Sequence, residues 1–401
     1  MHRLLPAFLT LGAVGLALGK IPQGAIAPGS NPFSNVNWYV PTAWQSEVFG
    51  SIAKYAKSTS QWDRIPAAVV ASQQPTAVWV ATNEAAVDDL PSILRDASKS
   101  AGTDGHPTLV QLIVYNLPDR DCSAASSEGG WKVSEGGVEK YKGFIDGIAK
   151  LIRKYEDLRF AIILEPDALP NQVTNAGDPN SKCAKARSAH IQLLQYAIAN
   201  FQAANAAVYL DSGHGGWLGW PDNQVAAAQL IKQIVDGLPK PARLRGLSIN
   251  TSNYNPLLLP NITDKSDPNL KRLQWNPGYD SVHYAKALGE TLATYNLSSL
   301  NHFIVDTSRS GTNIVLETDA WCNVKGAGFG LKPTYKSGYD NIDALVWAKT
   351  PGQADGTSDT SAARWDPMCT AATALQPAPE AGTWFHEYFT QLLDNANPKL
   401  I

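Results

Sequence analysis

Residues 109–122 read Leu-Val-Gln-Leu-Ile-Val-Tyr-Asn-Leu-Pro-Asp-Arg-Asp-Cys. The run Leu109 to Val114 is apolar and of strand length, and it ends in Tyr115, Asp119, Arg120, Asp121 and Cys122. A parallel strand covered on both faces is apolar almost throughout, so charged groups gather where it leaves the sheet. The pattern recurs downstream. Phe160 to Leu164 ends in Glu165-Pro166-Asp167, and Ala207 to Leu210 ends in Asp211-Ser212-Gly213-His214. Three successive strands that finish in carboxylates place chemistry at their carboxyl ends.

Working outward, periodicity predicts strands at 77–82, 109–116, 160–165, 207–213, 247–253, 302–307 and 343–349. Helices are predicted at 44–58, 88–100, 137–155, 184–203, 223–238 and 281–295. This alternation specifies an α/β fold with a parallel sheet under helices. An open doubly wound sheet fits the alternation too, but its ligand contacts concentrate at one crevice. Here polar or aromatic residues follow every strand: Asn83, Tyr115, Asp121, Asp167, Asp211, Asn253, Arg309 and Lys349. No Gly-x-Gly-x-x-Gly follows the first strand, which removes the main support for a dinucleotide fold. The expectation is a single-domain, seven-stranded parallel β/α barrel of TIM-like kind over residues 37–401. Residues 20–36, rich in Gly, Pro, Ser and Asn, read as an extended lead-in.

A chain of 401 residues that is 44% hydrophobic can bury one large core. Its net charge of −3 does not suit nucleic acid or an anionic membrane surface, so a neutral substrate is expected; the chain is also expected to be a monomer. Residues 1–19 carry Arg3, the apolar stretch Leu4 to Leu18, and small residues Ala17 and Gly19, the pattern of a cleaved secretion signal. The stretch is short of the ~20 residues that span a bilayer, which weighs against an anchor. Secretion makes disulfides available to the four cysteines, and three pairings are open to them. The sequential one, Cys122–Cys183 with Cys322–Cys369, is preferred because it closes two long loops on one side of a barrel. Sequons stand at Asn250, Asn261 and Asn296; Asn250 falls on a predicted strand and is expected to stay bare, whereas Asn261 and Asn296 are candidate glycosylation sites.

Alone, Asp119-Arg120-Asp121 is better explained by an ion-paired loop than by a site. Asp167 at the next strand end alters that balance. Desolvation and a neighbouring carboxylate would each raise its pKa, and a carboxylic acid protonated near neutrality is what cleavage of a glycosidic bond requires. Glu165 competes for the same role, and strand periodicity does not separate the two. Twelve tryptophans supply a second signal. Trp79, Trp217, Trp220 and Trp321 fall in candidate site segments, where exposed indoles would carry the apolar faces of sugar rings. Trp38, Trp44 and Trp62 are expected in the core. His214 is expected to hold a loop by hydrogen bonds. No His/Cys/Asp cluster argues for a metal, and no cofactor is expected.

The long segments Tyr115 to Cys122, Leu164 to Asp167, Tyr209 to Trp220, Trp321 to Asn323, Asp355 to Asp359 and Leu375 to Pro379, in this order, resemble glycoside hydrolase family 6, the secreted cellulases, and its fungal cellobiohydrolase II type. The resemblance spans about residues 31–401. It implies a distorted seven-stranded barrel that hydrolyses β-1,4-glucan with inversion, acting on cellulose and cello-oligosaccharides. It gives Asp167 the role of general acid and Asp121 that of supporting its pKa and relaying the water's proton. Asp355 becomes a candidate base, Tyr115 distorts the reacting sugar and Ser127 belongs to a mobile loop near the water. Trp79, Trp217, Trp220 and Trp321 match sugar platforms, while Asp211, His214, Asn253, Arg309, Lys349 and Gln353 are expected among the substrate-binding residues. The chain departs from the family pattern at Gln353, usually glutamate, at Ala354, usually small and polar or cysteine, and at Thr307-Ser308. It also shows no carbohydrate-binding module.

Both segments expected to roof the cleft, 123–137 and 350–368, are long, which favours a tunnel releasing cellobiose from non-reducing chain ends over an endo-acting cleft. A non-catalytic glucan-binding protein would keep the indoles but has no need of perturbed carboxylates.

Overall fold

The computed structural model describes residues 22–81, 86–100, 102–259, 275–312 and 320–401. In chain order its elements are β1 (Asn37–Trp38), α1 (Thr42–Tyr55), α2 (Ile65–Ser72), β2 (Val78–Val80), α3 (Ala86–Lys99), β3 (Thr108–Val114), α4 (Gly137–Lys154), β4 (Arg159–Leu164), α5 (Ala168–Thr174), α6 (Lys182–Asn200), β5 (Ala206–Asp211), α7 (Gly215–Leu218), α8 (Pro221–Asp236), β6 (Gly246–Ile249), α9 (Ser281–Thr294), β7 (Phe303–Asp306), β8 (Ile342–Val346) and α10 (His386–Asp394). All ladders are parallel, in the order β1-β3-β4-β5-β6-β7-β8. β1 and β2 both lie on the free edge of β3, β1 against Thr108 and Leu109, β2 against Leu112 to Val114. They make one broken stave, so the barrel has the seven positions expected from sequence. The sheet curls until the Ala77 amide donates to the Trp347 carbonyl at 3.1 Å, without a ladder between β2 and β8 among the described residues.

The strands are buried on both faces, and their period of two sorts the side chains. Leu109, Ile113, Ala161, Ile163, Ala207, Tyr209, Ile304, Ala344 and Val346 fill the interior. Val110, Leu112, Val114, Phe160, Ile162 and Leu164 face outward into the core shared with the helices. In α4 the buried residues Tyr141, Ile145, Ile148, Ala149 and Ile152 recur at helical spacing, so one apolar stripe seats it on the sheet. α6 begins where Ser181 accepts the Ala184 amide hydrogen at 3.0 Å, a side-chain cap.

Residues 22–36 do more than lead in. Phe33 is fully buried in the barrel interior, and Arg159 donates to the carbonyls of Gly24, Ala25, Pro32 and Ser34. Asn31 donates to the Asp343 carbonyl at 2.7 Å. The segment is thus the floor of the barrel at the amino ends of the strands. A second core, with Trp44, Tyr55, Phe329, Trp347 and Phe389, joins α1, α2 and α10 to the segments after β7 and β8. Helices α2, α5, α7 and α10 and the short strand β1 are additions to the predicted elements. Trp44 is core as expected and Trp38 is half-buried, but Trp62 is 55% exposed, its indole N–H on the Ala56 carbonyl. Both disulfides have the expected pairing, Cys122–Cys183 and Cys322–Cys369. Asn250 is buried, Asn296 is exposed, and Asn83, Asn261 and the predicted signal lie outside the described residues. No helix among the described residues is long and apolar enough to cross a membrane.

Candidate active site

The register of β3 with β4, Val114 opposite Leu164, makes the two chains leave the sheet side by side. Segments 115–121 and 165–167 therefore meet. Four acids there take the left-handed conformation: Asp119 (φ 57°), Asp121 (48°), Glu165 (51°) and Asp167 (63°). Such residues each cost on the order of 1–3 kcal/mol and persist only where the surroundings hold them. The result is to turn successive carboxylates in different directions.

Glu165 turns inward. Its carboxylate accepts the amide hydrogens of Asn116 and Leu117 and the hydroxyl of Tyr141, so it fastens the 115–117 turn and does not line the cleft. Burial nevertheless raises its pKa to about 7. Asp306 at the end of β7 is a second staple, accepting amide hydrogens from Ser252, Ser308, Ala348 and Lys349 and so tying together the ends of three strands.

Asp167 and Asp121 line the cleft, which encloses about 710 Å³. Burial raises Asp167 to about 7. Burial, and then the charge of Asp167, push Asp121 well above the usual carboxylate range; the Ser127 hydroxyl bonds to Asp121 and opposes the rise. The second oxygen of Asp121 takes no hydrogen bond among the described residues. Two carboxyls in one desolvated recess do not both ionise easily, so near neutrality the pair retains a proton. Tyr115 is held beside them, its ring edge-on to Trp79 (5.6 Å, 89°) and under the Arg120 guanidinium at 4.0 Å. Arg120 also donates to the Tyr115 carbonyl at 2.6 Å. Asp119 turns away to accept the Val133 amide hydrogen.

Across the cleft Asp355 sits in a different field. Arg309 donates to both its oxygens (2.7 and 2.8 Å), the Tyr254 hydroxyl donates at 2.6 Å, the Asn323 amide at 2.9 Å, and the Lys349 ammonium stands at 3.7 Å. Burial alone would raise its pKa, but Arg309 and Lys349 outweigh it and hold the carboxyl below the usual range.

Trp79, Trp217, Trp220 and Trp321 all line the cleft, with Ser127, His214, Asn253, Lys349 and Gln353. The glycines of 215–219 permit close packing: a Cβ on Gly215 would strike the Gly278 carbonyl. Trp217 is fixed by an indole N–H bond to Thr174 at 2.8 Å. Burial lowers His214 to about 4, so its imidazole is neutral near pH 7. Two residues expected to touch sugar lie behind the wall instead. Asp211, fully buried and raised to about 8 by burial and then by Asp167, accepts the Asp167 amide hydrogen at 3.0 Å. Arg309 is buried under the Tyr254 ring and against Asp355, and also donates to the Ser252 carbonyl.

The roof segments meet. The Ala125 amide donates to Asp366 at 2.9 Å, and Gly356 is wedged between Ser126 and the Cys369 sulfur. Tyr254, Asn323, Arg364 and Asp366 shape this cleft and were missed in the sequence. The polar run Asn250 to Asn255 after a strand was the signal available for Tyr254.

Residues 33–396 match the family described as glycosyl hydrolases family 6. The 1,4-beta-D-glucan cellobiohydrolase C of Emericella nidulans is 42% identical over 371 residues, which are 92% of this chain and 79% of that protein. Exoglucanase 2 of Hypocrea jecorina is 39% identical over 386 residues, 95% of this chain and 78% of that one. The solved structure of cellobiohydrolase II (Cel6A) from Humicola insolens, in complex with glucose and cellotetraose, aligns with a TM-score of 0.82 at 39% identity, covering 92% of this chain and 100% of the other.

Proposed function

Because the chain belongs to glycosyl hydrolase family 6, we propose that it cleaves β-1,4-glucan in cellulose and cello-oligosaccharides with inversion, outside the cell, and releases cellobiose from non-reducing ends. The observation that carries the mechanism is the desolvated Asp121–Asp167 pair at the foot of a cleft walled by four indoles. Asp167, protonated, gives its proton to the glycosidic oxygen as the bond from C1 to that oxygen breaks. General acid catalysis of this kind contributes typically ~10²–10⁴-fold. A water attacks C1 from the opposite face and its proton leaves toward Asp121, whose free oxygen and Ser127 contact suit a relay. Tyr115, clamped by Trp79 and Arg120, presses on the reacting ring.

Asp355 is the other candidate for the base. Its charge is already matched by Arg309 and Lys349 and its pKa is held low, which suits a fixed anion better than a proton acceptor. Roof segments that touch through Ala125 and Asp366 support the exo mode, because a covered cleft admits a chain by its end. Secretion is supported by the leader-like residues 1–19 and by two disulfides.

The test is proton NMR of fresh products from cellotetraose. Early α-cellobiose is expected, since inversion at a β-linkage yields the α-anomer. Early β-product would refute inversion, and binding without turnover would favour a glucan-binding protein.

A further inference from the structure

Gln353 belongs to the second roof segment and lines the cleft together with Lys349, Trp79 and Asp355. Its backbone is fixed by a bridge to Trp384 and by its amide bond to the Thr350 carbonyl. Its side-chain nitrogen donates to both oxygens of Glu47, at 3.2 and 3.3 Å. Glu47 lies on α1, is half-buried, and takes no part in the cleft wall. The contact joins residues 306 apart in the chain, linking the first helix to the roof.

Chemistry sets the direction of this pair. An ionised carboxylate only accepts hydrogen bonds, so the amide must turn its NH₂ toward Glu47. The two polar atoms of a carboxamide diverge from one carbon, and fixing the nitrogen on Glu47 turns Oε1 away from it. The same cleft is lined by Lys349, which only donates and is itself drawn toward Asp355 and the Trp79 face. The wall therefore combines a cationic donor with an acceptor whose direction is set from outside the cleft. A sugar hydroxyl both donates and accepts, so it can use the two together.

We propose that Glu47 is a positioning residue for sugar recognition, holding Gln353 with its amide oxygen toward the cleft as a neutral acceptor for a glucosyl hydroxyl. Without Glu47 the amide rotates freely and presents NH₂ as often as oxygen, and an immobilised side chain on binding then costs rotamer entropy. The proposal rests on the β-1,4-glucan reading and specifies one of its contacts.

A double-mutant cycle tests it, with cellotriose affinity measured by titration calorimetry in an Asp167→Asn background that prevents turnover. Glu47→Ala is expected to weaken binding about 5–10-fold, and Gln353→Ala by a similar factor. Glu47→Gln, which keeps an acceptor oxygen, should stay within about twofold of the parent. Adding Glu47→Ala to Gln353→Ala should cost nothing further. Equal losses from Glu47→Ala in both backgrounds would overturn the proposal, as would unchanged affinity in Glu47→Ala. If the native protein fails to hydrolyse cellotetraose, the glucan reading itself fails; if it hydrolyses it but the losses are additive, only the role of Glu47 fails.

Discussion

Removing the Asp366 carboxylate should raise internal cutting relative to the proposed release from chain ends. Its Oδ2 accepts the Ala125 amide hydrogen at 2.9 Å, the direct bond between the two roof segments, while Oδ1 caps the short turn at Met368 at 3.0 Å. The cap lies within one segment and is present whether the roof is open or shut, so its loss of ~1 kcal/mol falls on both states alike. The Ala125 bond exists only in the closed state. A hydrogen bond to a charged acceptor is worth about 1.5–3 kcal/mol, so Asp366→Ala should raise the open-to-closed ratio by roughly 10- to 150-fold. A roof that is open about 1% of the time would then be open about a third of the time at the ~45-fold midpoint. The Cys322–Cys369 disulfide limits how far it swings. On amorphous cellulose, the ratio of new reducing ends in the insoluble residue to those in solution should rise several-fold. Asp366→Asn, whose amide oxygen still accepts, should fall between. An unchanged ratio in Asp366→Ala, with thermal stability retained, would show that this bond does not keep the cleft covered.

Turnover should fall as pH rises through about 7, because Asp167 must carry a proton and its pKa lies there. A pH–kcat profile measures this, and a profile with no basic limb near 7 would sink the assignment of Asp167 as the acid. Stability should also be greater at pH 5 than at pH 7.5. Glu165 and Asp211 have folded pKa values raised to about 7 and about 8, so the folded state binds more protons than the unfolded chain over that range, and stability is lost as pH rises. The slope is at most about 1.4 kcal/mol per pH unit for each group, and urea midpoints at the two pH values measure it; a higher midpoint at pH 7.5 would contradict it. Arg309→Ala leaves Asp355 buried without its main counter-charge and should cost about 3–5 kcal/mol in urea unfolding. Arg309→Lys, with one ammonium in place of a two-pronged guanidinium, should recover only part, and a loss under about 1 kcal/mol in the alanine variant would refute the assignment.

The strands were legible because each buried run is apolar and each helix between them has a single apolar stripe. Their ends were less so. Glu165 and Asp167 are two residues apart, and a regular strand would point both the same way; the left-handed turns at each separate them, and nothing in a hydrophobic pattern reports φ. Asp211 and Arg309 stand at strand ends just as Asp121 and Lys349 do, yet the first pair lies behind the wall and the second on it. Position at a strand end marks the site, but the packing of neighbouring side chains decides which group faces substrate. Glu47 had no signal at all, being a common helix residue whose partner is distant in sequence. Gly- and Pro-rich residues 22–36 concealed the floor of the barrel, because a segment without periodicity can still be fully packed.

That floor has a consequence for how the molecule is made. Asn31 bonds to the carbonyl of Asp343, 312 residues later, and Arg159, which gathers the carbonyls of Gly24 to Ser34, follows them by more than a hundred residues. During synthesis the first part to emerge must therefore wait for almost all the rest before it can settle. Contacts of such long sequence separation close late and slow folding. The barrel can complete itself only after the ribosome has delivered its last strand, and until then its underside is open apolar surface for chaperones to cover.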